Sequence, residues 1–364
     1  MMNFSRSSHP NWVWLDLLTL FATVMFLKAN AYHKYTFTRP NMTELSARIS
    51  PLFERTKPVC FGRLMIDVPA TATVVYGPAD VDFPIVYIAD EAKQITAHVA
   101  KEVEKFEKES YMLHGLSTTD FAMYGKVIDG AVQGQKLVFG SKGFIDLTIV
   151  SFIPLGKDLY IQDGGSPFKQ IEKHVGILNK AAKNLRLRAE DEIPTESGLC
   201  IEGGFARSEY DFEKASIGIR LKEFPDVHFS IESLKNGDYL VPSDDIEELI
   251  KDAREVTPHG PGTWYSKIDF LRRGQRQIAH WTGSEVLVHL PAQKTATSTH
   301  EFHFTSNGAI NDRIYTRLDI ELDTGVQGNR KGAIRPSLND AEAIALWDRL
   351  VSTLKIRPTQ QTAK

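Results

Sequence analysis

Residues 57–69, KPVCFGRLMIDVP, and residues 197–206, SGLCIEGGFA, contain the two cysteines of a chain of 364 residues. Each cysteine stands among apolar and β-branched residues, which is the composition of a buried β-strand. We therefore predict that Cys60 begins the strand CFGRLMIDVP and that Cys200 begins the strand CIEGGFA. Two cysteine-led strands this far apart point to a chain built from two similar halves.

The segment after Cys60 combines strands with amphipathic helices. One helix is predicted within residues 90–111, where an apolar stripe is formed by Ile95, Val99, Val103 and Phe106. A second helix is predicted from Ser166, and strands with alternating apolar residues fill most of the remainder. Strands that pair locally, with helices between them, predict an α+β fold with mainly antiparallel sheet.

The same order recurs in the second half of the chain. Strands follow Cys200, a helix is predicted over residues 243–256, more strands lead to residue 322, and a final helix is predicted from Ser337. The two halves also end alike, because ILNKAAKNLRLR and LWDRLVSTLKIR each close a helix with a short strand and an arginine. We expect a duplicated module, hence two similar lobes with two helices each.

The acidic stretch RAEDEIPTESG contains a proline and a glycine and few apolar residues, so we place a domain boundary there. The predicted division of the chain is a signal peptide or N-terminal membrane anchor at 1–31, a tether at 32–57, an N-terminal α+β domain at 58–188, a linker at 189–198, a C-terminal α+β domain at 199–358 and a tail at 359–364.

Residues 12–27, WVWLDLLTLFATVMFL, form an apolar run that resembles an export signal. The run is shorter than the roughly 20 residues that span a bilayer, and Ala29-Asn30-Ala31 fits a signal-peptidase cleavage site. Asp16 and the positive charges that follow the run are atypical of a cleaved signal, so a retained anchor in the inner membrane stays open. Either form predicts a periplasmic or secreted chain, or one anchored by residues 12–27.

Export changes the interpretation of the cysteines. In an oxidising compartment we expect a Cys60–Cys200 disulfide bond, whereas in the cytosol the two would be reduced core residues. On the chain-entropy model, a bond that closes so long a loop stabilises the fold by about 5 kcal/mol. It would also tie the two halves together.

The charge balance excludes one class of partner. The net charge is −3, so the chain lacks the basic field that binds phosphate backbones, and we expect no nucleic-acid partner. We expect a protein or a small molecule as the partner.

A serine nucleophile is the first catalytic arrangement to consider. Ser166, in IQDGGSPFK, follows a strand as in the nucleophile elbow of lipases, but Phe168 stands where that motif requires glycine. We interpret Ser166 as a helix N-cap with Pro167 at the first helical position.

Other polar clusters predict no metal and no cofactor. His300 and His303 lie three apart on a predicted strand, so their imidazoles face opposite sides and cannot share an ion. The alternating carboxylates of RLDIELD, at 317–323, are interpreted as a solvated face. The glycine-rich loop GVQGNRKG, at 325–332, lacks the spacing of a phosphate-binding loop.

Two neighbouring stretches have the composition of a protein-binding surface. TPHGPGTWYSK brings Trp264 and Tyr265 into a loop, and FLRRGQRQIAHW is interpreted as a hairpin with Gly274 at its turn. Trp, Tyr and Arg dominate protein–protein hot spots. The predicted partner-binding residues are Trp264, Tyr265, Arg272, Arg273 and Arg276.

Several stretches together resemble the immunity proteins that neutralise family-4 phospholipase effectors of the bacterial type VI secretion system. The resemblance runs from about residue 58 to residue 358 and is carried by VCFGRLMIDVP, FLRRGQRQIAHWTGSEVL, LDIELDTG and PSLNDAEAIALWDRLVSTLKIRP. It implies a claw-like, two-domain α+β protein of the periplasm that wedges loops between the catalytic and cap regions of its cognate lipase and blocks lid opening. The chain would then be no enzyme.

Two other classes of function remain open at this stage. A hydrolase of the cell envelope, acting on lipid or glycan, would need a serine or a pair of carboxylates in a deep pocket. A general envelope adaptor would bind peptidoglycan or an assembly factor. Rescue of cells that make a toxic periplasmic phospholipase would distinguish an immunity protein from both.

Overall fold

The computed structural model describes residues 46–109, 123–141, 146–167, 170–235, 237, 250–251, 255 and 260–359. Eighteen strands and three α-helices with complete bounds lie in this part of the chain, and residues 250, 251 and 255 are helical as well. The helices are α1, Ile95–Glu109, α2, Ile171–Asn184, and α3, Asp340–Val351. None of the helices in the described ranges is long and apolar enough to cross a bilayer. The predicted export segment lies outside these ranges, as does most of the helix predicted for 243–256.

Twelve strands form one antiparallel sheet, in the spatial order β14-β15-β16-β17-β13-β12-β3-β4-β8-β7-β6-β5. Their bounds are β3 Thr73–Val81, β4 Phe83–Ile88, β5 Val127–Asp129, β6 Lys136–Ser141, β7 Asp146–Leu155, β8 Asp158–Pro167, β12 Glu213–Arg220, β13 His228–Leu234, β14 Asp269–Ile278, β15 Trp281–Leu290, β16 Thr299–Ser306 and β17 Arg317–Asp323. The predicted mainly antiparallel α+β fold is confirmed by this architecture.

Helices α1 and α2 cover opposite faces of strands β6 to β8. Phe106 and the stripe of α1 pack against Val138 and neighbouring residues of one face, whereas Leu178 of α2 packs against Leu137 of the other face. Adjacent residues of a strand point to opposite faces, so the central residues Leu137, Val138 and Phe139 of β6 are apolar on both faces. The ring of Phe106 lies so close to Gly140 that a Cβ there would be 2.3 Å away.

Helix α3 covers only one face of strands β12 to β17. Its Trp347 lies in the largest buried cluster, with ring centroids 5.9 Å from Phe229 and 6.1 Å from Phe302. The helix begins with a capping box, in which the Asn339 side chain accepts from the Glu342 N–H at 2.9 Å. The opposite face of these strands carries polar and charged side chains.

Six short strands form two further sheets of three strands each, β1-β2-β18 and β10-β11-β9. Their bounds are β1 Thr56–Phe61, β2 Leu64–Pro69, β9 Leu185–Leu187, β10 Gly198–Ile201, β11 Gly204–Arg207 and β18 Lys355–Ile356. Strand β18, which ends the second predicted half, pairs with β2 of the first half. Strand β9, which ends the first half, pairs with β11 of the second half. The two halves therefore exchange their closing strands.

The large sheet also joins the two predicted domains, because β3 pairs with β12 over nearly its whole length. Residues Met42–Lys364 form one compact unit. The division at residues 189–198 stays a prediction, and the two predicted domains share strands on both sides of it.

Two of the predicted strands are hairpins. Gly62 and Arg63 interrupt CFGRLMIDVP, and Glu202 and Gly203 interrupt CIEGGFA. Gly62 and Gly203 adopt φ values of 52° and 63°, which an apolar pattern does not reveal but which two-residue turns require. Each cysteine therefore lies just before a turn and does not begin a strand.

The helix predicted from Ser166 was placed too early in the sequence. Strand β8 continues to Pro167, where it still pairs with β7, and helix α2 begins at Ile171 after Gln170. The interpretation of Ser166 as an N-cap was therefore wrong. Pairing with the long strand β7 outweighs the local turn preference of the Gly-Gly-Ser-Pro sequence.

Candidate functional site

The structure contains the predicted disulfide bond between Cys60 and Cys200. The two Cα atoms are 5.8 Å apart, and both residues are fully buried. Next to the bond, the Gly62 and Cys200 backbones exchange two hydrogen bonds of 2.8 Å. The disulfide thus joins the tips of the two hairpins that carry the cysteines.

Two buried arginines hold the predicted linker against this disulfide region. Arg188 donates to the carbonyl oxygens of Ala189, Glu190 and Glu192, at 3.1 to 3.3 Å. Arg357, at the equivalent end of the second half, donates to the carbonyls of Pro194, Glu196 and Gly198. Burial, followed by the positive charge of Arg63, lowers the pKa of Arg357 to about 10. The linker is therefore fixed from both of its ends.

Arg272, a predicted contact residue, lies in a buried network of charges. It donates to the Glu285 carboxylate at 2.6 and 3.2 Å and to the Asp348 carboxylate at 2.6 and 3.0 Å. Burial alone would lower the pKa of Arg272, but the hydrogen bonds that it donates to Asp348 and the negative charge of Glu285 raise it. The network ties β14 and β15 to helix α3.

Arg276, four residues after Arg272 on strand β14, completes the same network. It contacts Glu285 and lies 2.8 Å from an Asp348 oxygen, and the indole N–H of Trp347 donates to Glu285 at 2.7 Å. Two guanidinium groups therefore balance two carboxylates. A partner would reach only a small part of these two side chains, since 11% of Arg272 and 16% of Arg276 are exposed.

Arg273 points to the opposite face of β14 from Arg272. It is partly exposed and lies over the Phe270 ring, with 5.2 Å between the guanidinium carbon and the ring centroid. Of these two adjacent arginines, Arg272 thus faces the interior and Arg273 faces outward.

Trp264 and Tyr265 lie in the loop that leads into β14, and Tyr265–Lys267 form a short 3-10 helix. The Trp264 indole donates to the Pro291 carbonyl at 2.9 Å, which anchors the loop to the end of β15. Both aromatic side chains remain partly exposed. The structure therefore brings Trp264, Tyr265 and Arg273 to one edge of the large sheet.

Strand β14 is that edge, because among the strands of the described residues it pairs with β15 alone. The turn after it was predicted at Gly274, but Gly274 lies inside β14 opposite Glu285, and the turn is formed by Ala279 and His280. Ile278 and Trp281 are buried on either side of this turn, so core packing fixes its position. A register shift between Phe270 and Arg272 further distorts the edge.

An apolar pocket of about 340 Å³ lies beside Tyr76, between β3, β4 and the second hairpin. Tyr87 and Tyr160 line it, and Glu202 is the charged residue among its described lining. Burial raises the pKa of Glu202. Neither a serine nor a second carboxylate lies among those lining residues, so the pocket lacks the groups that a hydrolase would require.

The carboxylates of residues 317–323 line the open face of the large sheet. Asp319 lies 2.8 Å from Arg317 and 3.6 Å from His303, whereas Asp323 lies 2.9 Å from Lys331. Desolvation opposes ionisation of Asp319, but His303 and Arg317 outweigh it and lower its pKa to about 2. Burial raises the pKa of Asp323 to about 6, although Lys331 opposes the rise.

His300 and His303 face opposite sides of β16, as their spacing predicts. His303 lies on the open face, whereas His300 is buried beneath helix α3. Sequence reasoning did not consider His289, whose partnership with His300 depends on the pairing of β15 with β16. The strand register was the information that the sequence pattern lacked.

Among the comparisons with known proteins, a family model matches the C-terminal half of the chain. Residues 192–359 match the family model of the Tle cognate immunity protein 4 C-terminal domain. This range contains strands β10 to β18 and helix α3, and therefore all five predicted contact residues. No curated protein sequence matches the chain significantly.

Solved structures share the fold over most of the chain. The apo structure of immunity protein TplEi of the type VI secretion system from Pseudomonas aeruginosa has a TM-score of 0.64 and 20% identity, over 84% of this chain and 98% of that chain. The structure of TplEi complexed with "L" peptide has a TM-score of 0.62 and 21% identity, over 84% and 99%. A chain of the crystal structure of the Tle4-Tli4 complex has a TM-score of 0.67 and 20% identity, over 84% and 98%.

The matched domain and these structural neighbours are immunity proteins, so the prediction that the chain is no enzyme is supported by its relatives. The N-terminal half is linked to them by fold, and the C-terminal half by both fold and sequence. The resemblance drawn from the sequence is confirmed, because residues 192–359 match the model of the Tle cognate immunity protein 4 C-terminal domain and the structural neighbours are immunity proteins of the type VI secretion system.

Proposed function

We propose that this chain is an immunity protein that binds a type VI secreted phospholipase and keeps it inactive outside the cytoplasm. The match of residues 192–359 to the immunity domain carries this proposal. The likeness to a chain of the Tle4-Tli4 complex supports a lipase effector as the partner. An inhibitor of this kind needs a firm scaffold and an exposed contact surface, and it requires no nucleophile.

The proposed contact surface is the edge formed by strand β14 and the loop before it. Trp264 and Tyr265 supply partly exposed aromatic area, and Arg273 supplies a partly exposed cation. Such residues contribute most of the binding energy in many protein interfaces. Arg272 and Arg276 are assigned an indirect role, because their ion pairs with Glu285 and Asp348 hold the strand in place from behind.

The proposed mechanism is a wedge between the catalytic and cap regions of the lipase, which blocks the opening of its lid. A wedge works best when its own parts are already ordered, since ordering on binding reduces the affinity. Three features keep this scaffold ordered: the Cys60–Cys200 bond, the arginines that fix the linker, and the exchanged strands β9 and β18. The claw-like arrangement of two lobes is part of this proposal.

The proposed compartment is the periplasm. The apolar run at residues 12–27 supports export, and a buried disulfide suits an oxidising compartment. Cleavage after Ala31 and retention of the run as an inner-membrane anchor are the two forms of this proposal. N-terminal sequencing of the protein from periplasmic and membrane fractions distinguishes them: a chain that begins at Tyr32 in the periplasmic fraction excludes the anchor.

Co-expression tests the function in cells. The cognate effector is sought as the product of a neighbouring reading frame with a lipase-type serine motif, and it is directed to the periplasm together with this chain. We expect growth to be restored by the chain and by its Ser166→Ala variant. A hydrolase would instead lose its function in that variant, and a general adaptor would not restore growth.

Variants of the edge test the contact surface. Trp264→Ala and Arg273→Ala are each expected to weaken binding of the purified effector by about tenfold or more, the range of a hot-spot residue. Arg207→Ala, an exposed arginine on the small sheet, is the matched control and should bind as the unaltered chain does. Equal affinity of all three variants would place the contact surface elsewhere.

A further inference from the structure

We propose that His289, His300 and Asp340 form a binding site for one divalent transition-metal ion, with zinc as the ion that suits these ligands best. The three side chains come from β15, β16 and the first turn of α3. Two imidazoles and one carboxylate form a set of three protein ligands, which leaves a fourth position for water. The proposal is independent of the proposed function.

The strand register builds the first half of this site. His289 and His300 are directly opposite in the antiparallel pair β15–β16, so their side chains leave the sheet on the same face. Their ring centroids are 4.7 Å apart. Asp340 reaches the same position from the other layer, because the capping box at Asn339 fixes where helix α3 begins.

The ligand atoms already converge on one point. Nδ1 of His289 and Nε2 of His300 each lie 2.9 Å from Oδ1 of Asp340. All three ligand atoms lie within 4.8 Å of one another. Bonds of about 2.0–2.1 Å to a tetrahedral ion separate neighbouring ligand atoms by about 3.3 Å. Binding of the ion would lengthen the two His–Asp distances by about 0.4 Å and bring the two histidine nitrogens, at most 4.8 Å apart, to about 3.3 Å from each other.

The hydrogen-bond partner of His300 Nδ1, the ring nitrogen that faces away from the site, suits metal coordination through Nε2. Nδ1 of His300 lies 2.9 Å from the hydroxyl oxygen of Thr324, which also accepts from the His300 backbone N–H at 2.9 Å. With the ring proton on Nδ1, this hydroxyl accepts it, and Nε2 presents its lone pair to the ion. Metal-bound histidines are commonly oriented by such a second hydrogen bond.

The local charge and the solvent exposure of the site also suit a cation. His300 is almost fully buried, and its Nε2 lies against Asp340 at the solvent-facing end of the site. His289 faces His300 on one side, and the negative charge of Asp226 acts on His300 from beyond the site. Two imidazoles beside the Asp340 carboxylate offer the ligand atoms that a transition-metal dication prefers. His289 and Asp340 are 32% and 42% exposed, so an ion and its remaining water can enter from the solvent.

A metal-binding experiment tests the proposal on the full chain, after dialysis against a chelator. Zinc is titrated by isothermal calorimetry, and cobalt(II) is added separately to record its visible absorption bands. We expect one ion per chain, a visible cobalt spectrum that zinc displaces, and a raised midpoint of thermal unfolding with zinc, since ligand binding stabilises the folded state.

Two variants and one control make the result specific. His289→Ala and Asp340→Asn should each weaken zinc binding by at least about tenfold and abolish the cobalt bands. These two partly exposed residues are chosen because replacing the buried His300 could unfold the chain. His303→Ala is the matched control: the same residue type on the same strand, facing away from the site. Absence of stoichiometric binding, binding that survives His289→Ala, or an equal loss in His303→Ala would overturn the proposal.

Discussion

Replacing Arg272 by methionine is expected to destabilise the protein much more than the same change at the adjacent Arg273. The Arg272 guanidinium makes four hydrogen bonds, of 2.6 to 3.2 Å, to two buried carboxylates. Without it, Glu285 and Asp348 share only the Arg276 cation. Breaking one side of a buried ion pair costs about 3–5 kcal/mol. Because Arg276 still contacts both acids, we expect a loss near the lower limit, about 3 kcal/mol.

Arg273→Met is the matched control, since it removes the same chemical group one residue further along the strand. Its guanidinium lies over Phe270 on the partly exposed face, a contact worth about 0.5–1 kcal/mol. Equilibrium urea unfolding, followed by tryptophan fluorescence, measures both free energies of unfolding. A double-mutant cycle with Asp348→Asn should give a coupling energy to Arg272 of at least about 1 kcal/mol.

The effects of the two substitutions on effector binding should be the reverse of their effects on stability. At a temperature where both variants are folded, Arg273→Met should weaken binding, whereas folded Arg272→Met should bind with nearly unaltered affinity. A loss of stability below about 1 kcal/mol for Arg272→Met would refute the reasoning from the buried network. Weak binding by a fully folded Arg272→Met would instead support a direct contact.

Three further changes should have measurable consequences. The double variant Cys60→Ala/Cys200→Ala should lose about 5 kcal/mol of unfolding free energy, and a loss below about 1 kcal/mol would contradict the chain-entropy argument. Asp323 binds a proton more tightly when folded, with a pKa near 6 against an ordinary 3.8, so its contribution to stability should fall by roughly 2 kcal/mol as pH rises from 4 to 6.5. Asp323→Asn should remove this fall, and a variant whose stability depends on pH as that of the unaltered chain does would contradict the prediction. Arg357→Met should expose the linker to a glutamate-specific protease, whereas an unchanged cleavage rate would show that the linker is held by other contacts.

Patterns within short stretches of sequence predicted the helices and strands that depend mainly on neighbouring residues. The stripe that includes Val99 and Phe106 predicted helix α1 because the helical period is visible within a single segment. The sequence from Asn339 to Glu342 holds the whole capping box that begins helix α3. The α+β class followed from the order of such elements.

Contacts between distant segments could not be predicted in the same way. The burial of Arg272 depends on Asp348, which lies 76 residues away in the sequence. The candidate metal site depends on the pairing of His289 with His300 and on Asp340 in the next layer. A single sequence gives neither the strand register nor the contacts between layers. All three arginines of strand β14 were therefore interpreted as contact residues. The exchange of strands β9 and β18 between the two halves could not be predicted for the same reason.

Inhibition of the cognate lipase in a defined assay tests the central claim most directly. The purified effector hydrolyses phospholipid vesicles in the presence of increasing amounts of this chain, and the chain alone is assayed in parallel. We expect hydrolysis to fall to background at about one chain per enzyme and the chain alone to release no product. Full lipase activity with the chain in excess, or product released by the chain alone, would contradict the account.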